Sequence, residues 1–354
     1  MLWKAIHGSD SNYTQGMVDT LKTFRNVSVV EDAGNHLSER NSTSSMEEFT
    51  MTKVLFILYL TLLALGIITG NTVVIVAVMK FHFLQQFRYI LLVSLSVADL
   101  LQGTVTVPLY ITWSVVPSLF RNETLCHVTL LSCLMVVTAS ILNLTVVTIN
   151  HYLAICYPLW HHRIISLKPH LLPLVIALVW MISILTTGLS HFAMNTEFEE
   201  CIYYKVFDKT FLLVSVIAGA LVPFACLAYS HLRIFLISRD LDMKYREQTL
   251  RVQSQTFLSP RNQCRRGSSH LLQTTKTIII VVTCFLFAWL PFSALILVFT
   301  FCESCEPGHA MDVVLHLAFT NSVLNPIIYA LCHSSFKTAY LKLFRCRLTP
   351  PSNR

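Results

Sequence analysis

Residues 325–329 read Asn325-Pro326-Ile327-Ile328-Tyr329, inside an apolar window from Val313 to Cys332 that holds no Asp, Glu, Lys or Arg. At about 1.5 Å per residue the window is long enough to cross a bilayer. A proline and two polar side chains in such a helix are costly, because proline removes a backbone hydrogen bond and lipid offers none in return. They are retained where Asn325 and Tyr329 re-satisfy the freed groups or hold water beside them. Five letters alone say little. Their weight comes from position, in the last of seven apolar stretches whose other members each carry an oddity of their own.

Of 354 residues, 54% are hydrophobic and 13% charged, with a mean hydropathy of +0.60; a soluble domain carries about 25% charged residues. The composition specifies an integral, all-α membrane protein. Windows of about 20 apolar residues fall at Val54 to Met79, Tyr89 to Trp113, Leu125 to Cys156, Leu171 to Ser190, Thr210 to Ile237, Thr277 to Phe301 and Val313 to Cys332. Seven spans put the two ends of the chain on opposite sides.

Charge decides which side. Lys and Arg gather in Lys80 to Arg88, Arg163 to Lys168, Arg239 to Lys276 and Lys337 to Arg354, while acids gather in residues 1–50, Glu123, Glu197 to Asp208 and Glu303 to Asp312. The positive-inside rule places the N-terminus outside. Glycosylation sequons agree, with acceptors Asn12, Asn26, Asn41 and Asn122 all on that side; a fifth, at Asn143, lies mid-membrane and is expected to be silent. The net charge of +7 thus reflects sidedness, and nucleic acid is not an expected partner.

Residues 1–52 lack the apolar core of a signal peptide, so the first span is expected to act as its own insertion signal. This polar segment reads as a disordered, glycosylated tail. Residues 53–332 form the membrane domain, and 333–354 a cytoplasmic helix and tail. Between spans 5 and 6, residues 238–273 contain Ser259-Pro260 and Gly267-Ser268-Ser269, turn and linker chemistry between expected helical extensions. There is no internal repeat, which disfavours a secondary transporter.

Cys126, heading span 3, and Cys201, in the second outer loop, face an oxidising space and are placed to bridge; Cys302 and Cys305 are placed to close a local ring. Free thiols are the alternative. Cys346 follows a basic amphipathic stretch and is a palmitoylation candidate, against an ordinary cytoplasmic thiol. Within the spans lie Asn71, Asp99, Ser140, Asn143, Trp180, Pro223, Trp289, Pro291, Asn321, Ser322 and Asn325. An intramembrane carboxylate such as Asp99 marks a functional site by default. Asn321 and Asn325, four apart, share a helix face, and with Ser140 and Asp99 they would offer one charge and several neutral oxygens to a hard monovalent cation. A structural, hydrogen-bonded aspartate is the alternative.

Taken in order, Asn71, Leu95-Ser96-Val97-Ala98-Asp99, Cys126, Trp180, Pro223, Phe285 with Ala288-Trp289-Leu290-Pro291, and Asn325-Pro326-Ile327-Ile328-Tyr329 followed by Phe336 resemble the fingerprint of rhodopsin-like (class A) G protein-coupled receptors. The resemblance covers Lys53 to about Cys346. It implies a seven-helix bundle with an outward ligand pocket, an inner face that engages a heterotrimeric G protein, and an amphipathic eighth helix, here Ser334 to Phe344. It also implies a sodium site at Asp99, Ser140, Asn321, Ser322 and Asn325; no other cofactor is expected.

Within the family, His231-Leu232-Arg233-Ile234-Phe235, Phe299 to Cys305 and Thr320 to Pro326 look like adenosine receptors. The pocket departs from them: Ile296 stands where they place an amide, Tyr203-Tyr204 where an aromatic precedes a glutamate, and Ser293 and Phe319 replace histidines. Adenosine itself is therefore not expected to bind tightly. Cys133 occupies the position of the ammonium-binding aspartate of aminergic receptors, and Phe319 that of the opsin lysine. The candidate lining, Cys133, Val137, Tyr203, Trp289, Phe292, Ile296 and Leu315, suits a lipid-like or flat aromatic ligand; packing alone is the alternative.

The coupling set, Asn150, His151, Tyr152, His231 and Tyr329, departs as well. Asn150-His151-Tyr152 stands where the family has Asp-Arg-Tyr, Leu271 where many members have an acid, and His231 where a tyrosine is usual. Histidine, with an ordinary pKa near 6.5, lacks arginine's permanent charge and five-donor fork. The reading is a plasma-membrane receptor, with a weakly signalling decoy or partner receptor of the same fold as the alternative. Expected partners are a G protein, a small or lipid-like ligand and membrane lipids, with dimerisation open. No paired carboxylates or nucleophile motif within the spans point to an enzyme.

Overall fold

The computed structural model describes residues 31–168, 170–255, 262–302, 305 and 310–345. Among the described residues, seven helices are long and apolar enough to cross a membrane: Lys53–Lys80, Phe87–Val115, Glu123–Cys156, Leu171–Ala193, Lys209–Ile237, Ile279–Phe301 and Ala310–Cys332. We call them spans 1 to 7; each matches its expected window to within a few residues. Span 1 packs on spans 2 and 7, span 2 on 3, span 3 on 4 and 5, span 5 on 6, and 6 on 7, so the bundle closes on itself.

The radial distribution of polarity is the reverse of a soluble protein's. Leu189, Phe287 and Leu331 are 69%, 70% and 74% exposed, while Asn71, Asp99, Asn143 and Asn325 are buried. Lipid would cover the former at no cost, and the latter must find partners inside. Close helix approach needs small residues at two crossings. A Cβ on Gly70 would lie 3.0 Å from Pro326 Cγ, and one on Gly103 would lie 2.9 Å from Ile67 Cγ2.

Two π-helical turns interrupt the spans, Gln102–Thr106 in span 2 and Ile217–Leu221 in span 5. Pro108 and Pro223 explain them: each lacks an N–H and clashes with the carbonyl four residues before it, so the ladder widens ahead of the ring. Pro291 and Pro326 lie inside their helices. Asp208 caps span 5 by accepting from Thr210 N at 2.8 Å and Phe211 N at 3.3 Å. Those N–H groups hold its carboxyl below the usual range.

Two expectations are corrected. The first helix runs Glu31–Lys80, so residues 31–52 are helical rather than a disordered tail; once span 1 is nucleated, extending it through a stretch without proline is inexpensive. Gly267-Ser268-Ser269, expected as linker, lies within helix Asn262–Phe301, while Ser259-Pro260 falls outside the described residues. After span 7, Ser334–Arg345 forms the eighth helix. It buries Phe336 and Ala339 against the bundle and leaves Leu341 and Phe344 outward, as an amphipathic membrane-surface helix would.

Candidate ligand, ion and coupling sites

At one end of the bundle Cys126 is joined to Cys201, and Cys302 to Cys305. The first bridge draws the segment between spans 4 and 5 over the top of span 3, where Phe120, Phe207 and Leu212 pack into one apolar cluster with both cysteines. Asn122 caps span 3, its side-chain oxygen accepting from Leu125 N at 3.0 Å. It is exposed, and a glycan on its nitrogen is compatible with the cap. Asn12 and Asn26 lie outside the described residues, as does the side chain of Asn41.

Below this cover is a cavity of about 330 Å³. Val137, Tyr203, Trp289, Phe292 and Ile296 line it as expected, and none of its lining residues among those described is charged. Two expected residues fall elsewhere. Leu315 packs with Leu60, Ile67 and Phe319 against spans 1 and 2, because the rotation of span 7 turns it from the cavity. Cys133 is not part of the lining, although it lies close enough to Tyr203 to act on its hydroxyl. Burial pushes the Tyr203 phenol up to about 12, opposed by a hydrogen bond with Ser215, so the group stays neutral at physiological pH. Ser293 donates to Trp289 O at 3.0 Å. Its hydroxyl proton is therefore engaged, and the free polar groups of the cavity are few.

Midway down, Asp99 is 1% exposed. Its Oδ1 accepts from Ser322 Oγ at 2.7 Å and its Oδ2 from Asn325 Nδ2 at 3.0 Å. Ser322 Oγ also lies 3.0 Å from Gln102 Oε1, and Asn71 Nδ2 donates to Ser322 O at 3.0 Å. Gln102 was not anticipated. The available signal was its place three residues after Asp99, on the same helix face. Ser140 Oγ and Asn321 Oδ1 are buried and make no hydrogen bond among the described residues. Asp99 is thus the centre of a buried polar nest that Ser322, Asn325 and Gln102 close by hydrogen bonds. Trp180 Nε1 donates to Ser94 Oγ at 3.1 Å, tying span 4 to span 2 beside this nest.

At the eighth-helix end, Asn150, His151 and Tyr329 converge on a second, small cavity together with Arg88, Thr277 and His333. Asn150 Oδ1 is 2.9 Å from His161 Nε2, which anchors the helix Pro158–Leu167 beneath span 3. Tyr329 stacks on Phe336 at 5.5 Å. Two coupling candidates stay apart from the cavity lining: Tyr152 packs edge-on to Tyr157 at 6.3 Å, and His231 is half-buried with neither ring nitrogen bonded among the described residues. The Leu271 side chain and Cys346 lie outside the described residues.

Residues 70–329 match the family model "7 transmembrane receptor (rhodopsin family)". Among curated relatives, the chain is 28% identical to the D(1A) dopamine receptor of Xenopus laevis over 94% of this chain and 79% of that protein. It is 29% identical to the histamine H2 receptor of Canis lupus familiaris, over 81% of this chain and 79% of the relative. The human 5-hydroxytryptamine receptor 4 is 26% identical over 86% of this chain and 83% of its own length. With a family match that spans the bundle and a fold that supplies its seven helices, the chain belongs to the rhodopsin family of seven-transmembrane receptors.

Proposed function

We propose that this receptor, with its N-terminus outside the cell, takes a neutral flat aromatic or lipid-like ligand into the larger cavity and passes its binding to a heterotrimeric G protein. The carrying observation is that the described lining of the cavity holds no charged side chain. The relatives are named for amines, and an ammonium taken into an apolar site needs a carboxylate to offset its desolvation. This chain has Cys133 at that position. The Cys302–Cys305 ring supports the likeness to adenosine receptors, while Ile296 in the cavity wall offers an adenine ring no polar partner. Sodium would be held by Asp99 with Ser140, Asn321, Ser322 and Asn325, supplying a fixed positive charge beside Asp99.

Orientation is open to direct test. An N-terminal epitope should stain on intact cells, and glycosidase should increase gel mobility, in part through Asn122. Staining only after permeabilisation would invert the topology.

A second reading, weak signalling, is favoured by His151, which is 5% exposed and lies in the small cavity. A histidine there reaches less far than arginine and is not permanently charged. Basal and ligand-driven nucleotide exchange by the native chain should be low, and Asn150→Asp with His151→Arg should raise it several-fold. Ordinary coupling that the double change leaves unaltered would mark the histidine as a tolerated variant.

A further inference from the structure

The small cavity at the eighth-helix end has a charge character that coupling alone does not use. It is lined from span 2 by Arg88 and Tyr89, from span 3 by Asn150 and His151, from span 6 by Thr277, and from span 7 and its exit by Tyr329 and His333. No lining residue among the described ones is acidic. Arg88, His231, His333 and His161 all stand near enough to act on His151 electrostatically, and the only other ionisable groups in the lining are the phenols of Tyr89 and Tyr329. One guanidinium and two imidazoles thus line the cavity, with no carboxylate among the described lining residues.

Arg88 itself is incompletely satisfied. One terminal nitrogen donates to Gln86 Oε1 at 2.7 Å, and the guanidinium lies 4.8 Å from the centre of the Tyr89 ring. Its Nε is buried and has no hydrogen-bond partner among the described residues. A half-buried cation with an unused donor and no counter-charge is unfavourable, and an anion at hydrogen-bond distance would relieve it. The cavity, about 30 Å³, has room for one species the size of a water or a monatomic ion.

We propose that this cavity binds a small monovalent anion of halide size, held by Arg88 with His151 and His333, and that the anion ties spans 2, 3 and 7 together at the inner end. Binding draws the imidazoles toward their protonated forms, so anion and proton are taken up together. The device does not depend on the identity of the outer ligand or on how strongly the receptor couples.

Thermal unfolding of the purified full-length receptor in lipid nanodiscs tests it, with chloride exchanged for gluconate at constant sodium so that the Asp99 site sees no change. Chloride should raise the midpoint by about 2 °C, and more at pH 6 than at pH 8. Arg88→Gln should weaken the apparent chloride affinity by roughly tenfold or more, as expected for the loss of a charge-assisted contact, and Arg88→Lys should retain part of it. Equal midpoints in chloride and gluconate at both pH values in the native protein would overturn the proposal even if no variant folds. So would a chloride response that persists unchanged in Arg88→Gln.

Discussion

Replacing Cys126 or Cys201 by serine should destabilise the receptor by about 4 kcal/mol, the loss expected when a loop of this length is no longer closed in the unfolded chain. The bridge spans 75 residues of sequence. It also holds the segment that carries Tyr203, which lines the cavity two residues beyond Cys201. The two single variants and the double variant should therefore lose the same stability and the same ligand affinity, because each removes one shared bond. Chemical denaturation of the purified protein and cell-surface expression give two independent readings. Additive losses in the double variant would show that the sulfurs act separately.

The second large effect is on sodium dependence. Among the described residues Asp99 is the acid of the polar nest, and Ser140 Oγ and Asn321 Oδ1 are buried without a hydrogen-bond partner; we propose that all three face the ion. Sodium against choline should stabilise the unliganded receptor by about 1.4 kcal/mol at ten times its dissociation constant. Asp99→Asn should abolish the difference while leaving the protein in choline no less stable, since a buried charge has been replaced by a neutral amide. Ser140→Ala and Asn321→Ala should shrink the response without erasing it. A sodium effect of full size in Asp99→Asn would place the ion elsewhere.

Most of the architecture was legible because lipid imposes a strong rule: a spanning helix must be long, apolar and internally bonded. The span limits follow from that rule and both disulfides from the compartment of each cysteine, while the eighth helix was implied by the family resemblance. Lining residues were less legible. Leu315 and Val137 are equally apolar, yet only Val137 faces the cavity, since a helix's rotation is set by its neighbours rather than by its own composition. The turn at Gln102–Thr106 was not read from the sequence, although Pro108 follows it, and Gln102 within it meets Ser322. Arg88 read as one more inner-loop cation; only packing shows it beside His151, with no acid among the described lining residues. The helical stretch 31–52 was hidden by polar composition, which does not register that a helix already formed is cheap to extend.

We propose that a neutral ligand enters the larger cavity and drives the G protein. Nucleotide exchange on purified heterotrimeric G protein, stimulated by the full-length receptor in bilayers, tests it most directly across matched sets of neutral aromatic, lipid-like and amine compounds. Because native coupling is expected to be weak, the variant carrying Asn150→Asp and His151→Arg is measured in parallel. The account predicts stimulation by a neutral compound and its loss in Phe292→Asp, with the compound still raising the thermal midpoint of the native receptor. Stimulation by amines alone, undiminished in Phe292→Asp, would contradict it.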